Sequence, residues 1–161
     1  KVVAHTTSIT HKYSVDADAI TSVVAAQLSH PYVCSVTLLE GNAFIDQFTD
    51  EKIKDPRILE FAKKVEVVSD EEIEKLPRHL RYTVKVDVHL KDGRVFNLRE
   101  SFPKGHPKNP FTHEELLWKF KALAGKAFSD EGKTDGIIDA VLHMEDLERF
   151  NDLTELLSAR G

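Results

Sequence analysis

Three side chains in the stretch QLSHPYVCSVTLLEG, residues 27–41, have the types and spacing of a small polar pocket. They are Ser29, His30 and Tyr32, grouped around Pro31. If this stretch is a helix, its N-terminus offers free N–H groups and the positive end of the helix dipole, which suits a substrate carboxylate. Ser29 and His30 are then candidate binding residues. The Tyr32 hydroxyl beside them could donate a hydrogen bond or relay a proton, which makes it the candidate catalytic residue. The competing reading is structural: a capped helix with Tyr32 packed on its neighbours.

Other reactive side chains are sparser. Lys104, His106 and Lys108 put three potential cations on one proline-rich loop. They could hold an anion, or simply be solvated. The lone cysteine, Cys34, lies inside an apolar run. It would need a helix N-terminus or a basic neighbour to become a thiolate, so core packing is the plainer role. The eight histidines are scattered, without H-x-H, H-E-x-x-H or a cysteine pair. No metal is therefore expected. Neither glycine-rich phosphate-binding pattern occurs.

The totals narrow the class. A chain of 161 residues suits one domain or a domain with an appendage. It can bury roughly 70% of its unfolded surface. The net charge is −5, with lysine and arginine scattered among acids, which argues against a nucleic-acid surface. No apolar run approaches the ~20 residues that a membrane span needs. A lone cysteine suits a reducing, cytoplasmic setting. The sequence begins at Lys1 without a signal-peptide pattern, which suggests a piece of a longer protein.

Residues 27–41 must position the pocket. Pro31 suits the first helical position, Ser29 or His30 the N-cap, and Gly41 the C′ position. Val33, Val36 and Thr37 would also suit a buried strand, but the flanking Pro and Gly favour a helix. Residues 1–15 read as strand, 16–18 as a turn and 19–28 as a short helix. Thr49 reads as an N-cap, and Asp55 caps a helix with Pro56 at its start. That helix buries Ile58, Leu59, Ala62 and Val65, and residues 65–68 turn to strand. The acidic stretch 70–76 is a turn or short helix.

Residues 83–90 alternate, with Val84, Val86, Val88 and Leu90 on one face. Lys91-Asp92-Gly93 is the turn of a hairpin. A three-residue loop sets Val88 opposite Phe96 and Val86 opposite Leu98, keeping the apolar side chains together. Gly93 should then be left-handed in a G1 bulge. The polar face implies an antiparallel sheet covered on one side only. After the loop 102–110, Thr112 and Glu115 form a capping box. Leu116, Leu117, Phe120, Leu123 and Ala124 should face a core. Further helices are expected at 134–144 and around Leu153, Leu156 and Leu157, before a frayed Ala159-Arg160-Gly161. The class is α+β: an antiparallel sheet with covering helices over 1–110, then a helical segment over 111–161.

Several segments together resemble the MmgE/PrpD family. QLSHPY, followed by an apolar run and Leu39-Glu40-Gly41, is similar to that family's F-S-x-P-Y…L-L-D-G segment. Asp55-Pro56-Arg57-Ile58-Leu59, Leu90-Lys91-Asp92-Gly93-Arg94, the run from Phe102 to Pro110, and Glu114-Glu115-Leu116-Leu117 follow in the same order. The chain departs from the pattern at Leu28, in place of Phe, and at His30. The resemblance implies a lid-like α+β domain, with its C-terminal helices, from a cofactor-free lyase acting on a small polycarboxylate. Dehydration of 2-methylcitrate, within propionate metabolism, is the favoured reaction; decarboxylation or isomerisation of a related acid is the alternative. It also implies that Tyr32 stands where a tyrosine of the family's active site lies. Most catalytic groups would come from a missing N-terminal helical domain, leaving this part inactive alone. The tail helices would otherwise pack on that domain, so self-association, as a homodimer, is expected. A rival assignment is a non-catalytic carboxylate-binding or assembly subunit of a split enzyme.

Overall fold

The computed structural model describes residues 1–158, so the fraying expected for the last three residues lies outside it. The chain forms two compact units, Lys1–Asn109 and Pro110–Gly161.

In the first unit, β1 (Val2–Thr6) alternates between buried and half-buried residues. The strand expected over 1–15 stops there, because the Thr7 side chain accepts a hydrogen bond from the Thr10 N–H and starts α1 (Ser8–Tyr13). The β-branched composition suggested a longer strand, but a local side-chain cap redirects the backbone. A short 3-10 turn at Ala17–Ala19 precedes α2 (Val23–Gln27), which is shorter than expected because Ser22 caps it. The helix at the centre of the chain is α3 (His30–Glu40). Thr49 caps a turn through the Lys52 N–H, and Asp55 caps α4 (Pro56–Ala62). There follow β2 (Val65–Ser69), α5 (Glu71–Glu74, capped by Asp70), β3 (Val84–His89) and β4 (Val95–Glu100).

The sheet order is β2-β1-β3-β4. The α+β class is as expected, and β1, β3 and β4 pair antiparallel. The β1–β2 pair is parallel, a feature that local patterns do not reveal. Its connection is long enough to hold α1 to α4, as a parallel crossover requires. Ala26, Tyr32, Val36, Ile53 and Ile58 form the central buried cluster. Val2, Ala4 and Val65 present the sheet's inner face to the helices and are also buried. Burial fades along the sheet: β3 is mostly half-buried, and every residue of β4 is exposed.

The hairpin has the expected register, Val88 opposite Phe96 and Val86 opposite Leu98. The Leu90 N–H donates to the Arg94 carbonyl at 2.9 Å, and the Gly93 N–H reaches the Leu90 carbonyl at 3.3 Å. Gly93 has φ +87°, the left-handed residue of a three-residue loop.

The second unit contains α6 (His113–Ala124), α7 (Glu131–Leu142) and α8 (Phe150–Leu157). The Thr112–Glu115 capping box is present in both directions. The second helix starts ahead of the expected Thr134, because Asp130 caps it through the Gly132 N–H. Ala124, Ile137, Ala140 and Leu153 are buried. Leu116 and Leu123, expected to face a core, are exposed instead. A groove of about 220 Å³ between α6 and α7 is lined by Leu116, Leu117, Phe120, Ile137 and Val141. Three short helices bury too little surface to close over that stripe.

Candidate functional site

The start of α3 is built as its sequence suggests. Ser29 is the N-cap, and its Oγ accepts the Tyr32 N–H at 3.2 Å. Pro31 occupies the second helical position, where its missing N–H costs nothing. Gly41 ends the helix with φ +75°.

Tyr32 is fully buried, with its ring 5.6 Å from that of Phe48. Its hydroxyl donates to the Gln47 carbonyl at 2.6 Å. Gln47 is itself held by the Phe44 N–H, and its side-chain amide donates to Glu40, which also pairs with Lys52. Burial, and then the charges of Glu40 and Asp55, push the Tyr32 hydroxyl up to about 12. At neutral pH it is a donor that keeps its proton. Ser29 is equally buried.

His30 is half-buried. Its Nδ1 lies 3.0 Å from Ser14 Oγ, the oxygen that also accepts the His30 N–H at 3.3 Å. Burial lowers the imidazole's pKa and favours its neutral form. Ser14 and Pro31 then form part of the wall of an open cleft of about 580 Å³. Lys1, His11, Asp16, Lys63, Lys64 and Glu66 also line it. Lys1 pairs with Glu66 at 2.6 Å, and Lys63 with Glu60 at 2.9 Å. The Lys64 ammonium lies 5.9 Å from the Phe61 ring centre. With three lysines against two acids, such a cleft can attract an anion. No local pattern signals it, because Ser14, Pro31 and Lys64 meet only through the fold.

A second polar assembly also went unnoticed in the sequence. On the open face of the sheet, His5 Nε2 is 2.9 Å from Asp87, and its Nδ1 is 3.4 Å from Asp70. Lys85 reaches Asp70 at 3.3 Å, and Asn97 donates to Asp87 at 2.7 Å. Hydrogen bonds from Asn97 and His5 hold the Asp87 carboxyl below its usual range. Burial works against ionisation of Asp70, but the Ile73 and Glu72 N–H groups and Lys85 outweigh it. Alternation placed Lys85 and Asp87 on the polar face, but only the β1–β3 register brings His5 to Asp87.

The remaining candidates are placed elsewhere. His106 stacks on Phe102 at 4.8 Å, accepts the Lys108 N–H and pairs its backbone with Asn109. The Lys108 ammonium lies 5.0 Å over the Phe102 ring, so this loop is a self-packed knot. Cys34 is partly buried in an apolar groove, and burial raises its thiol pKa. Among the described residues no cluster suits a metal ion, and no helix is long and apolar enough to cross a membrane.

Taken together, the mixed four-stranded sheet and its covering helices define an α+β domain with an open polar cleft beside α3. Residues 1–144 match the MmgE/PrpD C-terminal domain, and the chain belongs to that family. It is 33% identical to cis-aconitate decarboxylase of Homo sapiens, over 82% of this chain and 27% of that protein. It is 30% identical to cis-aconitate decarboxylase of Aspergillus terreus, over 85% of this chain and 28% of that protein. With the mitochondrial 2-methylcitrate dehydratase of Yarrowia lipolytica it shares 30% identity, over 76% of this chain and 25% of that protein. The chain thus spans about a quarter of the length of the curated relatives it matches.

Proposed function

We propose that this chain is the lid-like C-terminal part of a lyase for a small polycarboxylate of the cis-aconitate or 2-methylcitrate kind. What carries this reading is the match of residues 1–144 to the family's C-terminal domain, on a chain that spans about a quarter of its relatives. The cleft beside α3 supports it, because its three lysines, Lys1, Lys63 and Lys64, outnumber its acids, Asp16 and Glu66, which suits a ligand with carboxylates.

Lyase chemistry on such an acid needs a base, an acid and groups that hold the carboxylates. This chain supplies holding groups. Ser29 fixes the start of α3, and Tyr32 locks it to the Gln47 loop. His30, neutral and braced by Ser14, is the member of the three that stands next to the cleft wall. The base and the acid come from the N-terminal region that the longer relatives carry. A reducing compartment suits the lone cysteine. The cytoplasm is the proposed one, although the Yarrowia lipolytica relative is named mitochondrial.

The test is turnover of cis-aconitate, 2-methylcitrate and citrate, by the chain alone and by the chain joined to a relative's N-terminal region. Turnover is expected only from the joined form. Replacing Lys63 and Lys64 together by Ala there should raise KM by at least about tenfold with little change in kcat, the mark of lost uniform binding. Activity in the chain alone would overturn the lid assignment.

A further inference from the structure

Ser14 lines the cleft, and its backbone is held from both sides. Its own N–H bonds to the Thr10 carbonyl at 3.0 Å, and the Val15 N–H bonds to the Leu28 carbonyl at 3.1 Å. The half-buried Ser14 hydroxyl lies 3.0 Å from His30 Nδ1 and accepts the His30 N–H at 3.3 Å. His30 does not itself line the cleft, so it meets a bound molecule only through Ser14.

A serine hydroxyl has one proton to give and two lone pairs to accept with. The His30 N–H occupies one lone pair. One proton and one lone pair remain, and Nδ1 takes one of the two. With the ring proton on Nε2, Nδ1 is an acceptor and the Ser14 proton goes to it. With the ring proton on Nδ1, that N–H donates to the second lone pair, and the Ser14 proton is released to another partner. The two arrangements differ in tautomer and not in charge, because burial lowers the pKa of His30 and favours the neutral ring. In the second arrangement both lone pairs of Ser14 are occupied, so the group it meets in the cleft must be an acceptor. A carboxylate oxygen, which only accepts, fits; an ammonium or an amide N–H does not.

We propose that Ser14 is a specificity-determining residue of the cleft, donating its hydroxyl proton to a carboxylate of the bound acid, and that His30 is the positioning residue whose tautomer frees that proton. On binding, the ring gives its Nε2 proton to water and takes one from water at Nδ1, so the proton count is unchanged. The lysines draw in any anion, whereas Ser14 adds a directional contact. This assignment rests on the cleft being the carboxylate site of the proposed lyase.

The probe is tricarballylate, a saturated tricarboxylate with no hydroxyl for a lyase to remove. It is titrated at neutral pH into the chain labelled with nitrogen-15 in its histidines. The His30 nitrogen shifts should report a proton on Nε2 in the free chain and on Nδ1 at saturation. Ser14→Ala should raise the probe's Kd about tenfold, as loss of a hydrogen bond to a charged acceptor does, and the His30 shifts should no longer respond. Ser14→Thr keeps the hydroxyl and should restore both the affinity and the tautomer change. Circular dichroism checks that each variant keeps its fold, and the tautomer measurement needs no variant at all. A merely structural Ser14 would not link the ring proton to the probe. No binding by the unaltered chain, a His30 tautomer that ignores the bound probe, or Ser14→Ala binding as tightly as the unaltered chain would each overturn the proposal. The lid reading is judged separately, by turnover in the form joined to an N-terminal region, so the failure of one is distinguished from the failure of the other.

Discussion

Tyr32 joins two separate jobs: its ring fills the core against Phe48, and its hydroxyl satisfies the Gln47 carbonyl. Tyr32→Phe keeps the first and removes the second. It should cost about 1–2 kcal/mol in denaturant unfolding, the usual price of leaving a buried acceptor unpaired. The pH dependence follows from the raised pKa. An ordinary tyrosine ionises near 10, and in the fold Tyr32 holds its proton to about 12. Above 10 the unfolded chain releases a proton that the folded chain keeps, so this tyrosine's contribution is complete below pH 10 and is lost as pH rises toward 12. Tyr32→Phe should flatten that alkaline slope; an unchanged slope would show that the hydroxyl is not held in this environment. If the hydroxyl instead takes part in the chemistry, the same variant in the enzyme joined to its N-terminal region should lower kcat far more than it lowers stability. Among the candidate residues, the sequence revealed the Ser29 cap and the proximity of His30 and Tyr32 to the start of α3. It offered a packed Tyr32 as the structural alternative, but not Phe48 and Gln47 as the neighbours, because a helix start says nothing about which residues fill the space beside it.

At the scale of elements, what local chemistry dictates was readable and what long-range pairing dictates was not. The hairpin register followed from alternation and one glycine, since a one-residue slip would flip every valine. Helices α3, α4 and α6 followed from caps that the sequence spells out at Ser29, Asp55 and Thr112. The β1–β2 pairing joins Val2 to Val65, and no pattern within either strand records that they run parallel. The cap at Thr7 was missed because Thr and Ile there suit a strand equally well. Gly93 gives the hairpin its own test. An added Cβ would meet no atom within 4 Å, so any cost of Gly93→Ala comes from the backbone at φ +87° alone. The expected loss is about 1–2 kcal/mol in thermal or denaturant unfolding, with Gly93→Asn losing less because asparagine tolerates left-handed φ. Equal stability for Gly93→Ala would mean that the loop adopts another turn in solution.

For the whole molecule, the two units differ in how much apolar surface they bury. The first has a contiguous cluster around Tyr32, Val36 and Ile58, all at 0% exposure. In the second, Leu116, Trp118, Leu142, Phe150 and Leu157 are each about half exposed or more, and among the described residues only a few small or aliphatic side chains are buried. A unit that buries so little stands near the limit of independent stability. The second unit should therefore open at lower denaturant than the first. Trp118, the only tryptophan, reports on it directly. Backbone hydrogen exchange along β1 and β3 reports on the other. In the chain alone, the fluorescence midpoint is expected to lie below the loss of strand protection, giving two transitions. Supplying the N-terminal region of a relative should move the fluorescence midpoint upward, since any surface that covers the α6–α7 groove stabilises the folded form by mass action. Coincident midpoints in the chain alone would instead show that the two units unfold as one.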